Sequence, residues 1–365
     1  MSRILQFGTG RFLRGFFDCI VPEREAITVL QSRINSTGAA TINEQSAGYH
    51  VWVRGKQQGQ VVDRAEFVTS LKKGLDTNRQ WREVLEAGTH PDLNLIISNT
   101  TEAGLSLDSK DRFIDGLNQC PQSYPAKLLA ILQSRFQAGL NGVTILPMEL
   151  IEFNADRLNS LVKEQALHQG HVMGDEFTQW LDSNNRWLNN LVDRIVVGVS
   201  ESPPWDGEDH LAVVAEPYRL LAIQDDGGDR RVLPNHSMIQ WTDDLQPLFL
   251  RKVRILNGLH TAMVARCLPR GFETVLDVVN HSGERAWLED LLKTEILPTL
   301  ETQGLNEQAF AADVLERFEN PFFRHRLADI GNGHTQKMAT RIQPTMEEYQ
   351  RAFGKPPRLL SELVC

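Results

Sequence analysis

Short apolar runs alternate with helix-spaced segments through the first two-thirds of the chain. Residues 3–7 (RILQF) run straight into glycines and predict a short buried strand. A helix is expected over 11–22, and a second strand over 27–31 (ITVLQ). GYHVWVRG and GQVVDRAEFVTSL, joined at KQQ, alternate apolar and polar positions and predict an antiparallel pair. TNRQWREVLEAG at 77–88 predicts a helix, with Thr77 as its N-cap and glycine at its end. LNLIISN at 93–99 and GVTILP at 142–147 have the composition of strands buried on both faces. Between them AKLLAILQSRFQAG at 126–139 carries helical spacing. RIVVGV at 194–199 and LAVVAEPYRLLAIQ at 211–224 add strands, and 201–209 (ESPPWDGED) reads as a surface loop.

Strands that alternate with helices predict a parallel sheet with crossover helices. Past about residue 243 the strand signals stop. DLQPLFLRKVRILNGLHTAMVARCL, ERAWLEDLLKTEILPTLE and NEQAFAADVLERF are all helix-like. The expected organisation is an α/β domain over 1–245 and a mostly α-helical domain over 246–365, with the boundary near 243–250. No internal repeat is visible.

Composition narrows the class. The 365 residues are enough for two domains, and 41% hydrophobic with 23% charged residues is ordinary for a soluble globular protein. The formal charge of −9 is spread along the chain without a basic stripe, so nucleic acid is not an expected partner. The N-terminus lacks an apolar signal-peptide core, and no apolar run is long enough to span a bilayer. Cys19, Cys120, Cys267 and Cys365 show neither CxxC nor metal-ligand spacing. Free thiols in a reducing cytoplasm, and no metal, are the expectation.

Two motifs carry chemistry. The first is FGTGRFLRGF at 7–16, a GxG placed after the first strand at the opening of a helix. Gly8 would allow the tight turn, and Gly10 would let the backbone approach a pyrophosphate. The pattern departs from GxGxxG, with Leu13 at the third position and Gly15 following. A plain strand-to-helix turn is the alternative. The acid expected after the second strand is missing. Gln31 and Arg33 stand there instead, which leaves the choice between NAD and NADP open. The second motif is RKVRILNGLHTAMV. On an α-helix, Asn257 lies about 140° and His260 about 80° round from Lys252, so all three share one arc. A lysine of lowered pKa can protonate a carbonyl oxygen during reduction and deprotonate the alcohol during oxidation. Amide and imidazole N–H groups can hold the developing oxyanion. A solvated lysine, a local kink and a core histidine are the plain alternatives.

These residues, with SNTTEAG at 98–104, SYPAKL at 123–128, TILPMELIEFN at 144–154, LVDRIV at 191–196 and RFENPFFRHRL at 317–327, resemble the long-chain mannitol dehydrogenase family of polyol dehydrogenases. The likeness runs over nearly the whole chain. It implies a Rossmann-like N-terminal domain, a helical C-terminal domain, an active site in a cleft and no catalytic metal. It maps the general acid/base onto Lys252, and substrate-oxygen contacts onto Asn257 and His260. Nucleotide contacts fall on Gly8, Gly10 and Phe12, with Asn99, Thr100 and Thr101 near the cofactor.

The polyol enzymes of the family carry Asp–Asn where this chain has Glu149–Leu150, a departure that favours the branch reducing keto-uronates. The implied activity is NAD-dependent reduction of a keto-uronate, tagaturonate, to the sugar acid altronate. Glu149 and Asp193 would line the substrate pocket, although Asp193 could equally be a surface carboxylate. Arg317 and Arg324 would hold a substrate carboxylate, with helix ion pairs as the alternative. A polyol or fructuronate dehydrogenase is the alternative within the family. The chain stops at SELVC, where the family continues through further helices. An apparently truncated, inactive nucleotide-binding form is therefore a further alternative. A monomer or small homo-oligomer is expected.

Overall fold

The computed structural model describes residues 3–100, 104–168, 174–300 and 305–364. The chain divides into two compact units. The first comprises 1–53, 64–215 and 219–243, and the second 54–63, 216–218 and 244–365. The second unit is thus not one contiguous stretch. It takes in the tip of a hairpin and a three-residue link, both drawn in by charge. Lys56 pairs with Glu319 at 2.7 Å, and the backbone N–H groups of Gln58 and Gly59 donate to Glu316.

The first unit is built on a six-stranded sheet. Its strands are β1 (Ile4–Phe7), β2 (Ile27–Gln31), β5 (Leu71–Asp76), β6 (Leu95–Ser98), β7 (Thr144–Pro147) and β8 (Arg186–Trp187). All pairings are parallel, and the spatial order is β5-β2-β1-β6-β7-β8. Numbered as successive sheet strands this is 3-2-1-4-5-6, the doubly wound order of dinucleotide-binding folds. Helices α3 (Trp81–Gly88), α4 (Tyr124–Gln137) and α5 (Asn154–His168) supply crossovers. Leu5, Phe7, Ile96 and Ile145 pack under Leu128, Ile131 and Val162 to form one core. Each such buried side chain contributes roughly 1.5–3 kcal/mol. The hairpin β3 (Tyr49–Gln57) and β4 (Gln60–Val68) joins β10 (Val196–Gly198) and β11 (Val213–Ala215) in a second sheet. Strands β9 (Asn190–Asp193), β12 (Leu220–Gln224) and β13 (Ile239–Thr242) form a third.

Three local expectations are corrected. The helix expected over 11–22 is only α1 (Arg11–Arg14), followed by a 3₁₀ turn at Asp18–Ile20. Helix α1 ends at Gly15, where a side chain would meet Val196 Cγ1 at 2.6 Å. Thr77 does not cap α3, which begins at Trp81. Its N–H and hydroxyl both donate to the Gln31 carbonyl, at 2.9 and 3.1 Å. Strand β5 (LKKGLD) was not anticipated, since two lysines and a glycine break the apolar pattern. Its backbone is satisfied at Gly74 by the Asn43 side chain, which both donates and accepts.

The second unit is helical, and no helix among the described residues is long and apolar enough to cross a membrane. Helix α7 (Gln246–Arg251) runs into a π-helical segment at Lys252–Asn257 and then α8 (Gly258–Cys267). Leu259, Met263 and Val264 of α8 pack on α9 (Val275–Asn280), α10 (Ser282–Leu291) and α11 (Glu307–Phe318). Two more π-helical segments, Leu292–Ile296 and Met338–Ile342, pack against the one at Lys252–Asn257.

Below the β1 turn lies a buried carboxyl, Asp18. It accepts from Gln6 Nε2 at 3.4 Å, and burial pushes its pKa up to about 7, against the pull of Gln6 and Arg14. A carboxyl raised in the folded state binds its proton more tightly there. Its contribution is complete below the unfolded pKa near 4 and is lost as pH rises through about 7. Asp18→Asn is therefore expected to flatten the fall in Tm between about pH 4 and pH 7. Calorimetry across that window checks it; an unchanged slope in the variant would refute the assignment.

Candidate functional site

The glycine turn stands at the carboxyl edge of the sheet, at the point where strand order reverses between β1 and β6. Gly8 has φ +118°, and its N–H donates to the Leu30 carbonyl at 3.1 Å. A Cβ there would sit 3.0 Å from the Asn99 carbonyl oxygen, just beyond β6. Gly10 differs, because a Cβ there would meet no protein atom within 4 Å. A cavity of about 290 Å³ opens in front of it, walled by Gly8, Thr9, Gly10, Gln31, Ser32, Arg33, Ser36, Asn99 and Thr100. Arg14, which the sequence did not single out, anchors the turn. Its buried guanidinium donates to the Thr9 carbonyl at 2.5 Å and the Leu211 carbonyl at 2.9 Å.

Gln31 is no ribose ligand. Its Nε2 donates to the Ser36 carbonyl at 2.8 Å, and its Oε1 accepts from Ala39 N–H at 2.9 Å. The buried Ser32 hydroxyl beside it has no hydrogen-bond partner among the described residues. Phe12 is half-buried, stacks on Phe16 at 4.8 Å and is not part of the cavity wall.

Glu149 is internal, at 2% exposure. Its carboxylate accepts from Ser98 Oγ at 3.1 Å, and from Thr100 N–H and Oγ1 at 2.8 and 3.0 Å. Burial raises its pKa, against those hydrogen bonds. Asn99 Nδ2 donates to the Met148 carbonyl at 2.6 Å, so the ends of β6 and β7 are doubly fastened. One Glu149 oxygen thus holds Thr100 and the other holds Ser98. Asp193 is buried in β9 opposite Leu220 and is not a surface carboxylate. Thr101 lies outside the described residues.

In the helical unit, the i→i+5 winding of Lys252–Asn257 widens the turn. Asn257 comes round closer above Lys252 than the 140° of an α-helix allows. Lys252 and Asn257 are half-buried, and the Asn257 carbonyl accepts from Thr261 Oγ1 at 2.8 Å. His260 is buried, with its ring 4.6 Å from Phe318 and 4.8 Å from His325. Its Nε2 has no hydrogen-bond partner among the described residues. Burial, then the His325 ring and the charges of Arg317, Arg341 and Lys337, hold its pKa well below the usual histidine range. A neutral imidazole with an open ring nitrogen can exchange a hydrogen bond with a substrate oxygen.

The two arginines expected to grip a carboxylate are engaged within the protein. Arg317 makes a two-pronged pair with Glu216, at 2.9 and 2.8 Å, and lies over the Tyr218 ring at 4.3 Å. Arg324 is exposed and pairs with Glu273 at 3.0 Å.

The model of the mannitol dehydrogenase Rossmann domain matches residues 2–232, and that of the mannitol dehydrogenase C-terminal domain matches 244–365. The chain belongs to the mannitol dehydrogenase family. Its relatives in the family include altronate oxidoreductases. That of Bacillus subtilis is 36% identical over 98% of this chain and 77% of its own length. That of Halalkalibacterium halodurans is 35% identical over 98% and 73%. The fold matches Pseudomonas fluorescens mannitol 2-dehydrogenase, solved with NAD and D-mannitol, with a TM-score of 0.78 at 17% identity, over 100% of this chain and 77% of that one. A D-sorbitol dehydrogenase matches with a TM-score of 0.80 at 20% identity, over 96% and 76%.

Two expectations follow for this family member. Gly8→Ala should lose about 1–3 kcal/mol of stability, through strain at positive φ and crowding of Asn99. Gly10→Ala should melt normally but weaken NADH binding about tenfold or more, because its Cβ would project into the space where the pyrophosphate approaches the backbone. Fluorescence titration and thermal melts separate the two; equal behaviour of the variants contradicts the division. Arg317→Met should cost about 3–5 kcal/mol by stranding buried Glu216, whereas Arg317→Met with Glu216→Leu should recover much of the loss. Urea unfolding of the three variants is the check, and a double variant no better than the single one counts against it.

Proposed function

We propose that this chain reduces the keto-uronate tagaturonate to altronate, with Lys252 as general acid/base and Asn257 and His260 on the substrate oxygen. Family membership makes it an NAD-dependent dehydrogenase acting on CH–OH groups, with a small sugar acid or polyol as substrate. The observation that carries the residue assignment is the open Nε2 of a neutral, buried His260 on the same helical run as Lys252. The identity to altronate oxidoreductases over 98% of the chain supports the substrate.

Each unit carries one half of the chemistry. In the first, the cavity before Gly8 and Gly10, at the end of β1, is placed for the pyrophosphate of a dinucleotide. Bound NADH supplies the hydride. In the second, Lys252 gives its proton to the carbonyl oxygen as negative charge builds there. Imidazole and amide N–H groups stabilise that charge where burial has removed competing water. In the oxidative direction neutral Lys252 takes the alcohol proton. Cys19, Cys120 and Cys267 are free thiols, which suits a cytoplasmic enzyme.

NADH oxidation with a panel of keto-uronates and neutral ketoses tests the substrate. Turnover of tagaturonate well above that of fructose is expected, and full activity confined to fructose rejects it. Lys252→Ala should lower kcat by about 10²–10⁴-fold near neutral pH with a folded, NADH-binding protein. Near-normal kcat removes the acid/base role.

A further inference from the structure

We propose that Arg33 and Ser36 receive the 2′-phosphate of NADPH, so that the cavity before the glycine turn takes the phosphorylated dinucleotide as readily as NADH. The assignment rests on the dinucleotide reading of that cavity. In a doubly wound sheet the glycine turn takes the pyrophosphate, and the end of the second strand meets the adenosine ribose. An acid at that place accepts from the ribose hydroxyls, whereas an arginine beside it accommodates a 2′-phosphate. Here β2 ends in Gln31, and the loop that follows brings Arg33 and Ser36 into the same cavity wall as Gly8 and Gly10.

The Gln31 amide shapes that loop. Its Nε2 donates to the Ser36 carbonyl at 2.8 Å and more weakly to the Arg33 carbonyl at 3.4 Å, and its Oε1 accepts from Ala39 N–H at 2.9 Å. The loop also packs on the glycine turn, since a Cβ at Gly38 would meet Thr9 Oγ1 at 2.6 Å. Both ends of the cavity are therefore set in place before a ligand arrives, which lowers the cost of binding. The wall holds one cation, Arg33, and no carboxylate. Arg33 is exposed and has no ion pair among the described residues. Ser36 Oγ accepts from Gly38 N–H at 3.4 Å, which leaves its O–H to donate. Asp76, the acid at the end of the neighbouring β5, is taken up locally. It accepts from Asn78 N–H at 2.9 Å, lies 3.8 Å from Arg79 Nε and is not part of the wall. A guanidinium fork fits two oxygens of a phosphate, and the serine hydroxyl can donate to the third.

Binding to the full chain, read by titration calorimetry, tests this without turnover. Wild-type protein should bind NADPH at least as tightly as NADH. It should also bind adenosine 2′,5′-bisphosphate more tightly than 5′-AMP, which lacks only the 2′-phosphate. Arg33→Ala should weaken NADPH binding by about 10- to 100-fold, in the range of a lost charged hydrogen bond, and leave NADH within about twofold. Arg33→Lys should recover part of the loss, and Ser36→Ala should cost less than Arg33→Ala. Wild-type protein that binds NADPH more weakly than NADH overturns this site alone, as does Arg33→Ala protein that binds NADPH as the wild type does. Protein that binds neither dinucleotide overturns the reading of the cavity and this site with it. None of these outcomes depends on which sugar is turned over.

Discussion

Gly8 sits where two strand ends come so close that a Cβ would stand 3.0 Å from the Asn99 carbonyl oxygen, tighter than ordinary contact. The β1 backbone must reverse at positive φ, and the Asn99 carbonyl closes the space a Cβ would need. Much of the first unit follows from that crowding. The carbonyl of Thr9 is tied down by a buried arginine, and the end of β6 is tied to the segment after β7 by Asn99 and Glu149. Backbone before Gly10 is thereby left facing open space at the place where parallel sheets bind ligands.

Buried charge organises the second unit in the same spirit. Arg317 and Glu216 satisfy one another at 3% and 2% exposure, and the Glu295 carboxylate accepts from Leu359 and Leu360 N–H at 2.8 Å each. Such pairs are costly to break rather than strongly stabilising, and they fix which segments meet. His260 Nε2 is one of several buried polar atoms of this unit without a hydrogen-bond partner among the described residues, and it is the one that lies on the helical run of Lys252 and Asn257.

The parallel strands were legible because their apolar runs are local and dense. ITVLQ became β2 without a residue's shift, and LIIS and TILP fell inside the expected spans. Strand β5 was hidden because it draws its pairing from β2 and its polar satisfaction from Asn43, far away in sequence. The helix after the glycine turn was over-extended because the sequence does not reveal Val196 pressing on Gly15. Thr77 looked like a cap until the Gln31 carbonyl claimed its hydroxyl.

The sequence by itself determined the α/β-then-helical order, the glycine turn and the spacing of Lys252, Asn257 and His260. Those features depend on neighbours within a few residues. Only the tertiary structure decided the π-helical winding that changes the angle between Lys252 and Asn257. The same holds for the engagement of Glu149 and Arg317 inside the protein, and for the reach of Arg341 to Thr261. The reason is physical. A charged side chain commits to whichever opposite charge or hydrogen-bond partner folding brings within about 3 Å. Glu216 lies 101 residues from the arginine it holds.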